Sequence, residues 1–252
     1  MDQATTTILL FLFGLLIGSF LTVVAHRVPR GESVVGGRSH CPACGAQIAA
    51  YDNVPVLSWL LLRGRARCCG AAISPRYPLT ELTAGALYAA TAVVLWDDAG
   101  ELVLGLAFVT MLLAITLTDL ERRIIPNKIL IVGAIAAVAI AAVADTGSLP
   151  ERAIAAAAAG GLLFAVALAY PRGMGLGDIK LAAVMGLYLG RSVGPALLIG
   201  FAAGALFGLA LIALRGAAAR KQAVPFGPFL ALGGVAALLA GEQMVDWYLG
   251  TF

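Results

Sequence analysis

Residues 7–25, TILLFLFGLLIGSFLTVVA, form a continuous apolar run that contains no charged side chain. A helix needs about 20 mostly apolar residues to cross the hydrocarbon core of a bilayer, so this run predicts a membrane span. Its early flank, Met1-Asp2-Gln3, carries no Lys or Arg, and no small-residue cleavage site stands out after it. We therefore expect an uncleaved first membrane helix rather than a signal peptide.

Similar apolar runs recur along the rest of the chain. Of the 252 residues, 61% are hydrophobic and 12% are charged, against about 45–50% and about 25% in soluble domains. This composition excludes a water-soluble globule and an intrinsically disordered chain. The runs are continuous and do not alternate, so we expect an all-α fold, a polytopic bundle of about eight transmembrane helices. The further candidate spans are 80–96, 102–118, 129–144, 152–170, 179–190, 193–214 and 226–241.

The basic residues predict how these spans are oriented. With eight spans, all but two of the 17 Lys and Arg residues fall in one set of loops, the exceptions being Arg152 and Arg191. Cytoplasmic loops collect Lys and Arg, so we expect both termini outside and the 26–79 loop in the cytoplasm. The net charge of +3 is then a topology signal. No basic stretch is interleaved with aromatic residues, so no nucleic-acid partner is expected.

The loop between the first two predicted spans, residues 26–79, is the only long polar stretch and holds all four cysteines. A cytoplasmic loop lies in a reducing compartment, so structural disulfides are not expected there. Cys41-Pro-Ala-Cys44-Gly is a metal-knuckle pattern, and a second pair, Cys68 and Cys69, follows in the same loop. Four thiolates in one small loop suit zinc, so we expect a cytoplasmic zinc-ribbon-like domain.

The second cysteine pair departs from the usual knuckle spacing. Ala66 stands where a second CxxC would have its first Cys, which leaves two adjacent cysteines. Adjacent side chains tend to point apart, so Cys68 fits the predicted metal site least well. The alternative is a loop that has lost its metal and keeps the thiols. With few aliphatic residues, this domain would need a staple or the membrane surface to stay compact.

Two aspartates belong to the cytoplasmic ends of predicted spans. Asp119 lies in the last turn of one apolar run, and Asp178 opens another after three alternating glycines. An ionisable group within a span is costly and is a functional hypothesis by default. Aspartic proteolysis requires two carboxylates at one water, one ionised to take its proton and one protonated to polarise the scissile carbonyl. On spacing alone, a proton relay and structural helix caps are alternatives.

Six motifs, in order along the chain, resemble those of the prepilin peptidases, or type IV leader peptidases. This family comprises intramembrane aspartic proteases of the GxGD type. The motifs are GSFLTVV at 18–24, CPAC at 41–44 with DNVPVLSW at 52–59, ISPRYPLTE at 73–81, DLE at 119–121 with IP at 125–126, GLGDIKL at 175–181, and PFGPF at 225–229.

The resemblance implies an enzyme of the bacterial inner membrane. Family members cut the short basic leader from type IV prepilins and from type II secretion pseudopilins at the cytoplasmic face. Many then N-methylate the new first residue with S-adenosylmethionine. The expected partners are substrates with a basic leader and a membrane helix, and the lipid bilayer. The implied site residues are Asp119 and Asp178 as the catalytic pair, Gly175, Gly177 and Lys180 as motif support, and Cys41, Cys44, Cys69 and Cys68 as zinc ligands.

The expected organisation is a first transmembrane helix at 1–25, a cytoplasmic cysteine-containing domain at 26–79 and a transmembrane peptidase core at 80–252. Thr22 stands where the family commonly has Asn, and Ala66 breaks the second CxxC. Both departures leave open a peptidase without methyltransferase activity. A transporter that relays protons through membrane aspartates would also use such carboxylates, although no internal repeat is visible. A non-catalytic scaffold for pilus assembly is a third hypothesis. Lys180 could pair with an acid, bind an acidic residue of the substrate, or snorkel.

Overall fold

The structure is a computed structural model that describes residues 2–34, 39–170, 174–216 and 224–251. The chain divides into two compact units, Met1–Trp96 and Asp97–Phe252. Within the described residues the regular elements are all helical and no strand is present. The only strand-type pairings there are two isolated bridges, which both lie in the cysteine-containing loop. The predicted all-α class is therefore confirmed.

The long helices follow the predicted apolar runs. In the first unit the α-helices are α1 (Gln3–Arg27), α2 (Leu57–Leu61) and α3 (Arg76–Val94). In the second unit they are α4 (Ala99–Arg122), α5 (Asn127–Ala144), α6 (Leu149–Ala169), α7 (Leu176–Leu189), α8 (Val193–Arg215) and α9 (Gly227–Thr251).

The first unit is built on an antiparallel pair of long helices, α1 and α3. The Gln3 side chain at the start of α1 donates to the Val93 carbonyl near the end of α3, at 3.2 Å. Farther along α1, a Cβ on Gly18 would lie only 2.7 Å from the Glu81 Cα atom. Glycine therefore lets the two backbones touch, as small residues commonly do between membrane helices. The cysteine-containing loop and α2 lie between these helices in the chain.

The second unit surrounds α4. Phe108 and Ile115 of this helix have no exposed surface, and both belong to one apolar cluster with Leu181 and Met185 of α7 and Leu230 of α9. Side chains from three helices thus fill the centre of the bundle. This core fixes the ends of α4, α7 and α9 relative to one another.

The predicted count of eight spans is not confirmed. Six helical segments in the described part of the chain are long and apolar enough to cross a membrane. The count differs because α7 and α8 belong to one continuous segment, Leu176–Arg215, and because α3 is not among the six. With 14 residues, α7 is only about 21 Å long, short of the roughly 30 Å hydrocarbon core. The six segments are Gln3–Arg30, Ala99–Arg122, Asn127–Ala144, Thr146–Ala169, Leu176–Arg215 and Gly227–Thr251.

Candidate active site

Asp119 is held at the meeting point of two helix ends. It lies in the last turn of α4 and is 5% exposed. The backbone N–H of Gly227, the first residue of α9, donates to its Oδ2 atom at 2.8 Å. The N-terminus of a helix carries partial positive charge, so this contact favours the ionised carboxylate. A Cβ on Gly227 would lie 2.8 Å from the same oxygen, which explains why glycine is needed there.

Asp178 is held at the start of its own helix. It is the third residue of α7, and its Oδ2 atom accepts a hydrogen bond from the backbone N–H of Gly175 at 3.2 Å. The carboxylate is only partly exposed. It therefore has the same type of support as Asp119, a backbone amide at the N-terminus of a helix.

The two aspartates lie at the same end of the second unit. A Cβ on Gly177 would lie 3.0 Å from the Ile125 Cβ atom, so the start of α7 packs against the residues that follow α4. The structure therefore places the two carboxylates that the sequence singles out, along with Gly175 and Gly177, at one end of this unit.

Lys180 follows Asp178 by two residues and lies on the exposed side of α7. Its Nζ atom donates to the Asn127 side-chain oxygen at 3.0 Å, so the partner it has in the structure is a neutral amide. Asn127 is the first residue of α5, and the contact ties α7 to the chain that leaves α4. Sequence reasoning did not single out Asn127 or Gly227 as site residues. The only signals were the neighbouring Ile125-Pro126 and PFGPF motifs.

The arrangement can carry out acid–base chemistry on a polarised carbonyl. Two carboxylates near each other cannot both ionise freely, so one can hold a proton while the other accepts one. Each has one oxygen oriented by a backbone amide, which limits the positions that the other oxygen can take. An aspartic protease needs two carboxylates that can share one water molecule.

A second candidate site is the cluster of four cysteines in the first unit. All four are free thiols, and their sulfur atoms lie within 4.8 Å of one another. The Sγ distances are 3.7 Å from Cys41 to Cys69, 3.4 Å from Cys44 to Cys68, and 3.9 Å from Cys68 to Cys69. A tetrahedral zinc ion with Zn–S bonds of about 2.3 Å would separate its sulfurs by about 3.8 Å. The four residues therefore fit a thiolate-bound zinc ion.

Two nearly identical turns present these cysteines. In the first, the Cys41 N–H donates to the Ala46 carbonyl at 2.8 Å, and Gly45 has φ of 73°. In the second, the Ala66 N–H donates to the Ala71 carbonyl at 2.8 Å, and Gly70 has φ of 72°. Positive φ suits glycine in such a turn.

The repeat fixes which residues correspond between the two turns. Ala66 takes the position of Cys41, and Cys69 takes the position of Cys44. Cys68 corresponds to Ala43, which is not a sulfur-bearing residue, yet its Sγ lies in the cluster. The two adjacent cysteines therefore contribute to the same group of sulfurs.

The environment of the thiols differs from one to another. Backbone N–H groups of Ala43 and Cys44 lower the pKa of the Cys41 thiol to about 7. The pKa of the Cys68 thiol is raised to about 12, mainly by its hydrogen bond with Cys44 and also by desolvation. Cys41 therefore forms the thiolate, the form that binds metal, more readily than Cys68 does.

Comparison with known protein families gives two matches that follow one another along the chain. Residues 12–95 match the Bacterial Peptidase A24 N-terminal domain. Residues 106–214 match the Type IV leader peptidase family. The first match contains the four cysteines, and the second contains both aspartates.

Curated relatives are similar over nearly the whole chain. A prepilin leader peptidase/N-methyltransferase of Aeromonas salmonicida (strain A449) is 36% identical, with 96% of this chain and 94% of the relative covered. The protein of the same name from Aeromonas hydrophila is 37% identical, with 97% and 94% covered. That of Bacillus subtilis (strain 168) is 36% identical, with 96% and 97% covered. No solved structure gives a significant match.

Proposed function

The chain belongs to the type IV leader peptidase family, and we propose that it removes the leader of prepilins and then N-methylates the new N-terminus. The proposal takes the activities from the names of its relatives. The observation that carries it is the pair of aspartates at one end of the second unit, each with one oxygen oriented by a backbone amide. Family membership favours this enzyme over a proton-relaying transporter.

Asp119 and Asp178 would share the acid–base roles in peptide cleavage. The ionised carboxylate takes a proton from a water molecule while the water oxygen attacks the scissile carbonyl carbon. The protonated carboxyl donates a hydrogen bond to the carbonyl oxygen, which stabilises the developing negative charge. Transfer of a proton to the leaving nitrogen then breaks the C–N bond.

The proposed substrates are type IV prepilins and type II secretion pseudopilins with a basic leader and a membrane helix. We place the aspartates on the cytoplasmic side of an inner membrane because Lys and Arg concentrate in the loops at that end. A site at the end of a helical bundle suits a substrate whose leader is in water and whose stem is in lipid. Lys180, exposed two residues after Asp178, could bind an acidic side chain of this substrate.

The second activity would consume S-adenosylmethionine as a substrate. The new N-terminal amine attacks the methyl carbon, the C–S bond breaks, and a proton leaves the nitrogen. The support for this activity is the name of the relatives, prepilin leader peptidase/N-methyltransferase, which includes both activities. Mass spectrometry of the mature pilin would detect the added methyl group on its first residue.

A zinc ion would act on the structure of the first unit. Cys41, Cys44, Cys68 and Cys69 would hold it, and it would staple two turns that have little apolar core of their own. The fit of the sulfur distances to a tetrahedron supports this proposal.

The cleavage proposal is tested by replacing each aspartate with asparagine in the full chain. Asp119→Asn and Asp178→Asn should each lower prepilin cleavage by about 10²–10⁴-fold or more, because an amide cannot exchange the proton that general acid–base catalysis needs. Asp97→Asn, at an exposed aspartate before α4, is the matched control and should cleave normally. Normal cleavage by either of the first two variants would refute the assignment of the catalytic pair.

A further inference from the structure

Helix α2 presents apolar side chains on the surface of the first unit. Leu57, Leu60 and Leu61 are 57%, 57% and 81% exposed, and Tyr51 just before the helix is 67% exposed. Trp59 of the same helix is turned inward, where its indole N–H donates to the Ile73 carbonyl at 3.0 Å. The leucines therefore form one outward face of a helix whose other face packs on the loop.

A buried glutamate fixes the depth of this helix along α3. The backbone N–H of Val56, the residue before α2, donates to Glu81 Oε2 at 2.7 Å. Val56 has φ of 62°, a conformation that β-branched residues rarely adopt, so this contact helps to hold a strained residue. Glu81 is itself only 7% exposed. The link between α2 and α3 is thus a specific and buried one.

Glu81 lies beside the apolar part of α1, residues 7–25. Glu81 sits against Gly18, with 2.7 Å between its Cα atom and a Cβ built on the glycine. The apolar run of α1 continues for seven residues beyond Gly18, to Ala25, which corresponds to about 10 Å of helix. One glutamate side chain and one hydrogen bond span less than this distance. The start of α2 is therefore held at a level where α1 is still apolar.

The backbone around α2 is suited to an environment with little water. The N–H groups of Leu57, Ser58, Leu60 and Leu62 all donate to carbonyls within the segment, at 2.6–3.1 Å. Pro55, in the turn before the helix, has no N–H to satisfy. Polar backbone groups inside a bilayer must find partners within the protein, and these four N–H groups have them.

We propose that α2 is a membrane anchor, whose leucines 57, 60 and 61 insert among the acyl chains of the leaflet on the side of the cysteine-containing loop. The occupant of the exposed face is lipid, because α2 lies in the chain between α1 and α3, and α1 is long and apolar enough to cross a membrane. Arg63 and Arg65 follow the helix directly and suit the phosphate groups at the boundary. The anchor would hold the cysteine-containing loop against the bilayer.

Tryptophan fluorescence of the full chain in lipid vesicles tests the proposal. The background replaces Trp96 and Trp247 with Phe and keeps Trp59, whose indole is hydrogen-bonded. Single tryptophans are then added as Leu61→Trp in α2, as Leu16→Trp on the exposed side of α1, and as Ala46→Trp in an exposed turn of the loop. The vesicles contain phosphatidylcholine and phosphatidylglycerol, with or without bromine atoms on the acyl chains.

We expect brominated chains to quench the Leu61→Trp signal as strongly as that of Leu16→Trp, with little quenching by aqueous acrylamide. Quenching by acrylamide to the extent seen for Ala46→Trp would overturn the proposal, because α2 would then face water. Protection from both quenchers would also overturn it, since the face would then contact protein. Leu57→Trp provides a second probe of the same face if Leu61→Trp does not fold.

Discussion

A single hydrogen bond links Asp119 to a helix that begins 108 residues later in the chain. Its donor is the first amide of α9, and this backbone approaches the carboxylate so closely that a Cβ at Gly227 would lie 2.8 Å from Oδ2. A catalytic group held in one orientation reacts faster, because the correct geometry does not have to be found again in each turnover. Gly227 is therefore a positioning residue for Asp119.

Replacing Gly227 with alanine should slow cleavage without abolishing the fold. The new methyl group would lie 2.8 Å from Asp119 Oδ2 and push the carboxylate away from its amide donor. A displacement of about 1 Å can cost about 10²-fold in rate, and we expect a loss in kcat of this order for Gly227→Ala. The measurement is prepilin cleavage by the purified variant at saturating substrate.

Gly208→Ala is the control for this prediction. Gly208 is also in a long helix of the second unit, but a Cβ there meets no atom within 4 Å. This variant should cleave at the rate of the wild type and keep its helical content. A Gly227→Ala enzyme with an unchanged kcat would show that Asp119 does not depend on this contact.

Much of the candidate site could be predicted from residue types and their positions. Asp119 ends one apolar run and Asp178 begins another, and both ends are predicted on the same side of the membrane. A charge there is costly, so the two residues can be recognised in the sequence. Gly227 and Asn127 are not visible in this way, because their roles depend on contacts 108 and 53 residues apart in sequence. A single sequence contains no measure of such distant proximity.

At the scale of elements, the continuous apolar runs predicted the long helices because membrane spans are defined by composition. They did not define where helices end. The run at 226–241 belongs to a helix, α9, that continues to Thr251 through the polar residues Glu242 and Asp246. The run at 179–190 forms α7, which is too short to cross a membrane alone. A 3₁₀ turn at Gly190–Ser192, where Gly190 has φ of 52°, lies between α7 and α8.

The repeated turns of the cysteine-containing loop explain how the adjacent residues Cys68 and Cys69 both reach the sulfur cluster, which the cysteine spacing did not predict. The second turn keeps the backbone of a metal knuckle, including the glycine with positive φ, although its first ligand position holds Ala66. The missing sulfur is supplied by Cys68, two residues farther along the chain, at 3.4 Å from Cys44. Adjacent cysteines would point apart in an extended strand. In this turn they do not.

Moving the cysteine from position 68 to position 66 should therefore preserve the proposed zinc site. We expect Cys68→Ala to contain well under one zinc ion per chain, and the double variant Ala66→Cys/Cys68→Ala to regain the wild-type content, because position 66 matches Cys41 in the repeat. The measurement is zinc per protein by elemental analysis after purification without chelators. Four thiolates bind zinc far more tightly than three in a site that is also stabilised by folding.

Ala43→Ser is the matched control, because Ala43 occupies in the first turn the position that Cys68 holds in the second. Its zinc content should equal that of the wild type. A Cys68→Ala protein with full zinc occupancy would exclude Cys68 as a ligand. A wild-type protein without zinc would show that the four thiols hold no zinc ion.

On the scale of the whole molecule, the two basic residues that fall in the loops predicted outside both form ion pairs. Arg152 is largely buried, where it pairs with Glu101 and donates to the Tyr188 carbonyl at 2.5 Å. Arg191 pairs with Asp246 at 3.1 Å. Each ion pair offsets the charge of its arginine on the side that is expected outside. These two exceptions therefore agree with an orientation set by the remaining Lys and Arg residues.

This orientation predicts which residues of the protein can be labelled from outside in intact cells. Thr146→Cys, in the exposed turn between α5 and α6, should react with a membrane-impermeant maleimide in intact cells, because that end is expected outside. Glu121→Cys, near Asp119, should gain label over the wild-type protein only after the membrane is disrupted. Added labelling of Glu121→Cys in intact cells, without labelling of Thr146→Cys, would reverse the orientation. It would also place the proposed catalytic pair on the side of the membrane opposite to a prepilin leader in the cytoplasm.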